Sequence, residues 1–437
     1  MDSGLIIAIF IGGLIILLAL RVPVFISLML VSLAVSIKLF GTEPGSLLIV
    51  RTVFSSVRVY YLVTIPLFAL MGDLLFESGI AMGMIKSISA LMGGGFRGRL
   101  CVIAIVAGTL FGVLSGSSLA ATAMIGSLMI PDMVKSGYSK SISVGSVMGA
   151  GGMSMVIPPS GVAIIVGTFG QMSIGKLLIG GIVPGIILAF FNILVIVLWA
   201  VFIPSAAPKY EVQTIELKER LRIFAVNILP ILSLMILLLL AIFYGVATPN
   251  EAAGLGVIGA LAMVILYRKF SWGVLKRSLD RSVRLTGMIF MVMASASAYT
   301  QLLTLTGATK EFVNSVMALP LSPVGTMLMM IGILVLLGCF FEPISLIMLV
   351  LPLYLPVAIS LGYNPIWFGL LFLINTDLAD LTPPFGLYLF TMKGLLPKSF
   401  TMIDIYKGAI PFAMADLATI LCMLAFPSLF TWLPSLM

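Results

Sequence analysis

The chain has 437 residues, of which 61% are hydrophobic and 9% are charged, and its formal net charge is +8. No water-soluble fold could bury so much apolar surface, so the composition excludes a soluble domain and predicts a protein surrounded by lipid. The basic residues lie in loops and at helix ends rather than on one polar face, so their charge indicates membrane topology and not nucleic-acid binding.

Apolar runs long enough for membrane helices recur along the whole chain. A hydrocarbon core about 30 Å thick needs roughly 20 apolar residues per helix, and about a dozen spans or half-spans can be counted. Glycines lie inside these runs, which is typical of closely packed or interrupted helices and not of β-barrel strands. The first run, 5–20, has no basic segment before it and no cleavage pattern after it, so we expect a retained helix. The predicted class is an all-α polytopic membrane protein.

Three segments are more polar than the rest of the chain. Segments 38–58 and 268–284 are too polar to span a bilayer but contain Leu, Val, Phe and Trp272. This composition predicts amphipathic helices in the membrane interface, with ordinary loops as the alternative. The stretch 204–222 carries charges of both signs and predicts a linker, partly an interfacial helix.

The two halves of the chain share one pattern of landmarks, which are a proline, a Gly-Tyr pair and a Pro-Pro pair. All three recur at a constant offset of 225 residues. The landmarks are Pro131, Gly137-Tyr138 and Pro158-Pro159 in the first half and Pro356, Gly362-Tyr363 and Pro383-Pro384 in the second. A register kept over several landmarks indicates an internal repeat. We therefore predict a first repeat at 1–203, the linker at 204–222 and a second repeat at 223–437.

Corresponding loops of the two repeats differ in charge. Segment 267–284 contains six basic residues, whereas its counterpart 38–58 contains three; segment 93–99 contains two arginines, whereas 320–323 contains none. By the positive-inside rule, the two repeats then have inverted orientations in the membrane, and both termini lie on the outer, periplasmic side.

Each repeat contains two short apolar arms joined by a polar tip. Arms of about 15 residues are short for a full crossing, so they predict re-entrant helical hairpins at about 100–133 and 325–358. The tips are Ser115, Gly116, Ser117 and Ser118 in the first hairpin and Glu342 and Pro343 in the second. Non-helical backbone at membrane depth is tolerated only inside protein or beside a wet cavity, so both tips predict a site near the midplane. The first tip offers hydroxyls and free amides to an anion and carbonyls to a small cation, with helix packing by small residues as its alternative role.

A Pro-Pro pair interrupts the helix that follows each hairpin, which predicts discontinuous helices at about 142–170 and 366–396. Carbonyls freed at such breaks can coordinate sodium, and paired discontinuous helices indicate a transport site. The predicted cation ligands are Ser115, Ser117, Gly149, Gly152, Pro158, Glu342, Pro343, Asn375, Thr376, Asp377, Asp380 and Pro383. The predicted substrate contacts are Ser115, Gly116, Ser117, Ser118 and Thr382.

Three carboxylates, Glu342, Asp377 and Asp380, lie within otherwise apolar segments of the second repeat. Ionisable groups inside a membrane are costly enough to indicate a function. They could hold sodium, relay protons, or simply face water at a helix end.

The motifs resemble the large membrane subunit of tripartite ATP-independent periplasmic (TRAP) transporters over essentially the full length. The resemblance is carried by the SGSS tip with Ala120-Ala121 and Ile125-Gly126 after it, the two Pro-Pro turns, and Thr248-Pro249-Asn250-Glu251-Ala252-Ala253. The sequence departs from the family's pattern at Asp377 and Asp380, where many relatives are apolar with a glycine.

The resemblance implies an elevator-type sodium symporter of a bacterial or archaeal cytoplasmic membrane. Sodium ions would be its coupling ions, and a periplasmic substrate-binding protein would deliver a small organic acid, a carboxylate or sulfonate. A small four-helix membrane subunit would be its partner in the bilayer. The hairpins and discontinuous helices would form a moving transport domain, and the other helices a scaffold.

Three other functions compete with this expectation. A stand-alone divalent-anion or gluconate-type symporter, driven by sodium or protons, shares the same inverted hairpins and is the alternative. An intramembrane hydrolase using Ser115 is disfavoured because the chain has no histidine and no Gly-x-Ser-x-Gly motif. A channel would need charge rings or a pore-loop signature, which the sequence lacks. We therefore expect a transporter and not an enzyme.

Overall fold

The computed structural model describes residues 10–437, except for residues 11, 19, 21, 94, 116 and 210–215. Every regular element in this part of the chain is a helix. The first predicted helix, 5–20, lies partly outside the described residues, and its positions 12–18 are helical. Within the described residues, six helices are long and apolar enough to cross a membrane, or eight if two bent pairs each form one span. The predicted all-α polytopic class is confirmed.

Between Val24 and the linker the described residues form ten helices. They are α1 (Val24–Phe40), α2 (Thr42–Val57), α3 (Thr64–Glu77), α4 (Ile80–Leu91), α5 (Arg99–Ser115), α6 (Ser118–Lys135), α7 (Lys140–Val156), α8 (Gly161–Phe169), α9 (Ile174–Gly180) and α10 (Ile182–Phe202), with a 3₁₀ turn at Tyr60–Val63. Gly79, between α3 and α4, has a φ of 74°, a left-handed conformation that glycine adopts without steric cost.

The second half forms eleven helices. They are α11 (Leu217–Ile223), α12 (Leu229–Phe243), α13 (Pro249–Leu266), α14 (Trp272–Leu305), α15 (Ala308–Met317), α16 (Pro323–Gly338), α17 (Pro343–Ser360), α18 (Pro365–Leu381), α19 (Leu387–Leu395), α20 (Met402–Ala425) and α21 (Pro427–Ser435), with a π-helical turn at Phe224–Ile228. Gly307, between α14 and α15, repeats the φ of 74° seen at Gly79.

Four helix pairs are named for the rest of the description. Hairpin 1 is α5 with α6, and hairpin 2 is α16 with α17. Broken helix 1 is α7 with α8, interrupted at Pro158-Pro159, and broken helix 2 is α18 with α19, interrupted at Pro383-Pro384. Their depth in a bilayer and the inverted relation of the two repeats stay predictions.

The segment 268–284, predicted to be an amphipathic interfacial helix, is helical from Trp272 but is not a helix of its own, and its place in the interface stays a prediction. From Trp272 onward this segment is the start of α14, which continues without interruption for 34 residues. At 1.5 Å per residue α14 is about 51 Å long, well beyond a hydrocarbon core of about 30 Å. Its charged turns pair with the end of α3, where Arg277 Nε lies 2.8 Å from Glu77 and Arg281 Nε lies 3.4 Å from Asp73. These partners allow a polar segment to stay helical beside α3.

The centre of the fold is α7, which is buried on every side from Ile142 to Val156. It packs against both helices of hairpin 1 and against α10, α18 and α20. Small residues make this possible: a Cβ at Gly145 would lie 2.4 Å from the Gly408 carbonyl oxygen of α20, and one at Gly112 of α5 would lie 2.4 Å from Ser154 Cβ. Close helix packing through small residues is typical of membrane proteins.

The α7–α20 contact gives a test of this packing. We expect Gly145→Ala to destabilise the protein by roughly 1–3 kcal/mol, because the added methyl overlaps backbone atoms that cannot rotate away. Gly332→Ala in α16 is the matched control, since a Cβ there meets nothing within 4 Å. The measurement is the thermal midpoint of monodisperse protein in detergent. Equal midpoints for both variants would contradict the packing described.

Candidate transport site

The two hairpin tips meet at one cavity of about 100 Å³. Hairpin 1 contributes Ser117 and Ser118, hairpin 2 contributes Glu342 and Pro343, and the break of broken helix 1 contributes Pro159. The opposite wall is apolar and belongs to α3 and α14, with Ile65, Phe68, Ala69, Leu285, Met288 and Ile289. The cavity thus lies between the hairpin tips on one side and this apolar wall on the other.

The tip of hairpin 1 presents the start of α6 to this cavity. Ser117 is the N-cap residue, and its Oγ accepts a hydrogen bond of 3.3 Å from the backbone N–H of Ala120. The first amides of a helix are free and carry the positive end of its dipole, which favours an anion. Of the predicted tip, Gly116 and the side chain of Ser115 lie outside the described residues.

The tip of hairpin 2 is organised by Glu342. Its Oε1 accepts hydrogen bonds from the backbone N–H of Ser345 at 3.1 Å and from the Ser345 hydroxyl at 2.9 Å, so Glu342 caps α17. A carboxylate at a helix N-terminus is stabilised by the helix dipole. The positive end of α17 therefore already has an anion, whereas that of α6 has only neutral serines.

Asp377 and Asp380 lie near the end of α18, and each is 1% exposed. The alternative that they face water at a helix end is therefore wrong for both. The Asp377 carboxylate lies against Gly152 of α7, where a Cβ would be 1.9 Å from both of its oxygens. Among the described residues, no lysine or arginine forms an ion pair with either carboxylate. Since the C-terminal end of a helix dipole also repels negative charge, both groups need a cation or a proton.

The remaining predicted cation and substrate ligands do not all lie at the tip cavity. Asn375 donates a hydrogen bond of 3.4 Å to the Ile331 carbonyl of hairpin 2, and the hydroxyls of Thr376 and Thr382 donate to carbonyls of their own helix. Gly149 packs against Phe412 and Asn192. The Pro158-Pro159 and Pro383-Pro384 peptide bonds are cis. The structure thus separates a tip cavity, with Ser117, Ser118, Glu342 and Pro343, from a buried region around Gly152 and Asp377.

Three buried polar residues that the sequence analysis did not include lie around this second region. They are Asn192 in α10, Tyr388 in α19 and Asp416 in α20, with exposures of 0%, 0% and 1%. Each has a side-chain polar atom without a hydrogen-bond partner among the described residues. Asn192 and Asp416 could have been found as polar residues inside apolar runs, but their proximity to Asp377 depends on helix packing.

The fold and the buried carboxylates define a multi-pass membrane transporter. The solved structure of the YdaH transporter from Alcanivorax borkumensis superposes with a TM-score of 0.68 over 93% of this chain and 98% of that chain. At 12% sequence identity this likeness concerns the fold alone.

The family is shown by the sequence. Residues 11–429 match the model of the tripartite ATP-independent periplasmic transporter, DctM component, and the chain belongs to this family. It is 32% identical over 405 residues to the C4-dicarboxylate TRAP transporter large permease protein DctM of Pseudomonas aeruginosa, covering 92% of each chain. It is 28% identical over 405 residues, 92% of this chain and 62% of the other, to the isethionate TRAP transporter permease protein DctMQ of Oleidesulfovibrio alaskensis. These relatives are permeases, as expected for a protein that is not an enzyme.

The cap at hairpin 2 can be tested with two substitutions. We expect Glu342→Ala to lower stability by about 1 kcal/mol, because it removes the acceptor of the Ser345 amide. Glu342→Gln keeps an acceptor oxygen of the same reach, so its thermal midpoint should stay close to that of the wild type. If glutamine were as destabilising as alanine, the negative charge and not the cap would be holding the tip.

Proposed function

We propose that this chain is the large, translocating subunit of a sodium-coupled secondary transporter that imports a small organic acid, a carboxylate or sulfonate. A periplasmic substrate-binding protein delivers the acid, and a small four-helix membrane subunit accompanies the chain in the cytoplasmic membrane. Both termini lie on the periplasmic side. The TRAP family membership and the C4-dicarboxylate and isethionate relatives support the tripartite arrangement and the substrate class.

The observation that carries sodium coupling is the burial of Asp377 and Asp380 with no basic partner among the described residues. Two isolated carboxylates in an apolar interior cost several kcal/mol each unless a positive charge joins them. Carboxylate, carbonyl and hydroxyl oxygens are the ligands that hard cations prefer, so the residues present fit sodium. Sodium is here a transported ion, and its binding would neutralise charge that otherwise opposes movement through lipid.

The substrate anion is assigned to the tip of hairpin 1. The start of α6 carries the positive end of its helix dipole and is flanked by the neutral side chains of Ser117 and Ser118, which favours an anion. The start of α17 is flanked by Glu342, whose negative charge repels an anion. The far wall of the cavity belongs to α3 and α14, outside the hairpins and broken helices. We infer that the hairpins and broken helices move as one body against this wall, as in an elevator mechanism, with α1–α4 and α11–α15 in the scaffold.

Uptake into proteoliposomes tests the coupling. The vesicles contain this chain with its small membrane subunit, and the binding protein is added outside with radiolabelled C4-dicarboxylate or isethionate. We expect accumulation only with an inward sodium gradient and only with the binding protein present. Uptake that persists at the same rate in choline would contradict sodium coupling. Uptake without the binding protein would favour the stand-alone symporter, which is the alternative.

Two substitutions test the assigned residues. Asp377→Asn removes the buried charge with little change of shape, and Ser117→Leu removes the cap and fills the tip cavity; each should lower uptake at least tenfold while complex assembly is retained. Asp132→Asn is the matched control, since Asp132 is exposed on hairpin 1 and should leave uptake unchanged. Near-normal transport in both site variants would place the site elsewhere.

A further inference from the structure

Asp416 is a buried carboxylate that the proposed function does not use. It lies in the middle of α20, is 1% exposed, and its Oδ2 has no hydrogen-bond partner among the described residues. A lone carboxylate in this position would cost several kcal/mol. Its surroundings therefore need to supply a compensating group.

The register of α20 on α7 shows which groups surround Asp416. Gly408 packs on Gly145, and Phe412, one turn later, packs on Gly149. Because residues four apart lie on one helix face, Asp416 continues this row at the level of Gly152 and the residue after it. That is the level at which the Asp377 carboxylate lies against Gly152, and the two carboxylates are close enough to interact electrostatically.

Two neutral side chains complete the same region. Asn192 is fully buried, its Oδ1 lies 3.2 Å from the Cβ position of Gly149, and neither its oxygen nor its nitrogen has a partner in the described part of the chain. The Tyr388 hydroxyl is also fully buried, and it lies near the carboxylates of Asp377 and Asp416. A buried amide without a partner and two buried carboxylates without a positive charge are each destabilising. Their meeting at one place, among the described residues, indicates a ligand.

We propose that a monovalent cation binds between Asp377 and Asp416, with Asn192 Oδ1 and the Tyr388 hydroxyl oxygen as neutral ligands. The two carboxylates can supply up to four oxygens and the neutral side chains two more, which are the ligands that hard cations prefer. No three acidic, cysteine or histidine side chains of the described residues are grouped as a metal site, so the position depends on the two neutral oxygens. That the cation is sodium rests on the proposed function.

The position has a structural consequence that the tip cavity does not share. Asp377 belongs to broken helix 2, Tyr388 to its second segment α19, and Asn192 and Asp416 to α10 and α20, all around α7 of broken helix 1. A bound cation would therefore hold broken helix 2 to α10 and α20. Without it, Asp377 and Asp416 would repel each other.

The test is the sodium dependence of stability, measured on the full chain purified with its small membrane subunit. The thermal midpoint is recorded as choline chloride is replaced by sodium chloride at constant ionic strength, with lithium, potassium and calcium as further probes. For the wild type we expect sodium to raise the midpoint. For Asp416→Asn we expect the half-saturating sodium concentration to rise at least tenfold, and the midpoint in choline to equal or exceed that of the wild type, because the repulsion is gone.

A second variant and a control complete the design. Asn192→Leu should also raise the half-saturating sodium concentration. If Asp416→Asn does not assemble, the result for Asn192→Leu tests the proposed cation site by itself. Asp132→Asn, which removes an exposed carboxylate, should behave as the wild type.

Unchanged sodium dependence in both site variants would overturn the proposal, as would a wild-type midpoint that no monovalent cation raises, or a rise with calcium only. If the site is overturned in this way but uptake still requires sodium, the proposed function is retained. If uptake does not require sodium but the stabilisation by sodium requires Asp416, the cation site is retained and the proposed sodium coupling is overturned.

Discussion

The fold depends on one helix, α7, being buried on all sides. A helix with no solvent- or lipid-facing side has neighbours in every direction, and its glycine, alanine and serine residues allow the closest approaches. Hairpin 1 contacts α7 closely where Gly112 meets Ser154, and α20 contacts α7 closely at Gly145 and Gly149. The hairpin, the last long helix and the carboxylate of Asp377 are all placed by contacts with this one helix.

The polar groups of the interior follow from the same arrangement. Tips and breaks leave backbone amides and carbonyls without partners in an apolar interior, which is tolerated only where side chains or ligands satisfy them. At hairpin 2 the protein supplies its own anion, Glu342, whereas at hairpin 1 Ser117 supplies only a neutral oxygen. Around Gly152 the opposite need arises, because carboxylates gather there without basic partners. The interior thus has one place suited to an anion and another suited to cations.

Much of this could be predicted from local chemistry. Pro-Pro pairs must end a helix, serines favour N-caps, and apolar runs define the all-α membrane class, so these features needed no tertiary information. The continuity of α14 could not be predicted, because its polar turns are stabilised by Asp73 and Glu77, about 200 residues away in sequence. Asn192 and Asp416 were missed for a similar reason: each is a single polar residue in an apolar run, and only the register of α20 on α7 brings Asp416 to Asp377.

Asp377 has a physical counterpart in the first half of the chain. The offset of 225 residues that relates the two Pro-Pro pairs also relates Gly152 to Asp377. These two positions are in direct contact, and the carboxylate occupies the space that a side chain at Gly152 would need. A side chain at Gly152 would overlap the Asp377 carboxylate, so the carboxylate at 377 requires a glycine at 152. The buried region around Asp377 therefore involves both halves of the chain, although the carboxylate comes from the second half alone.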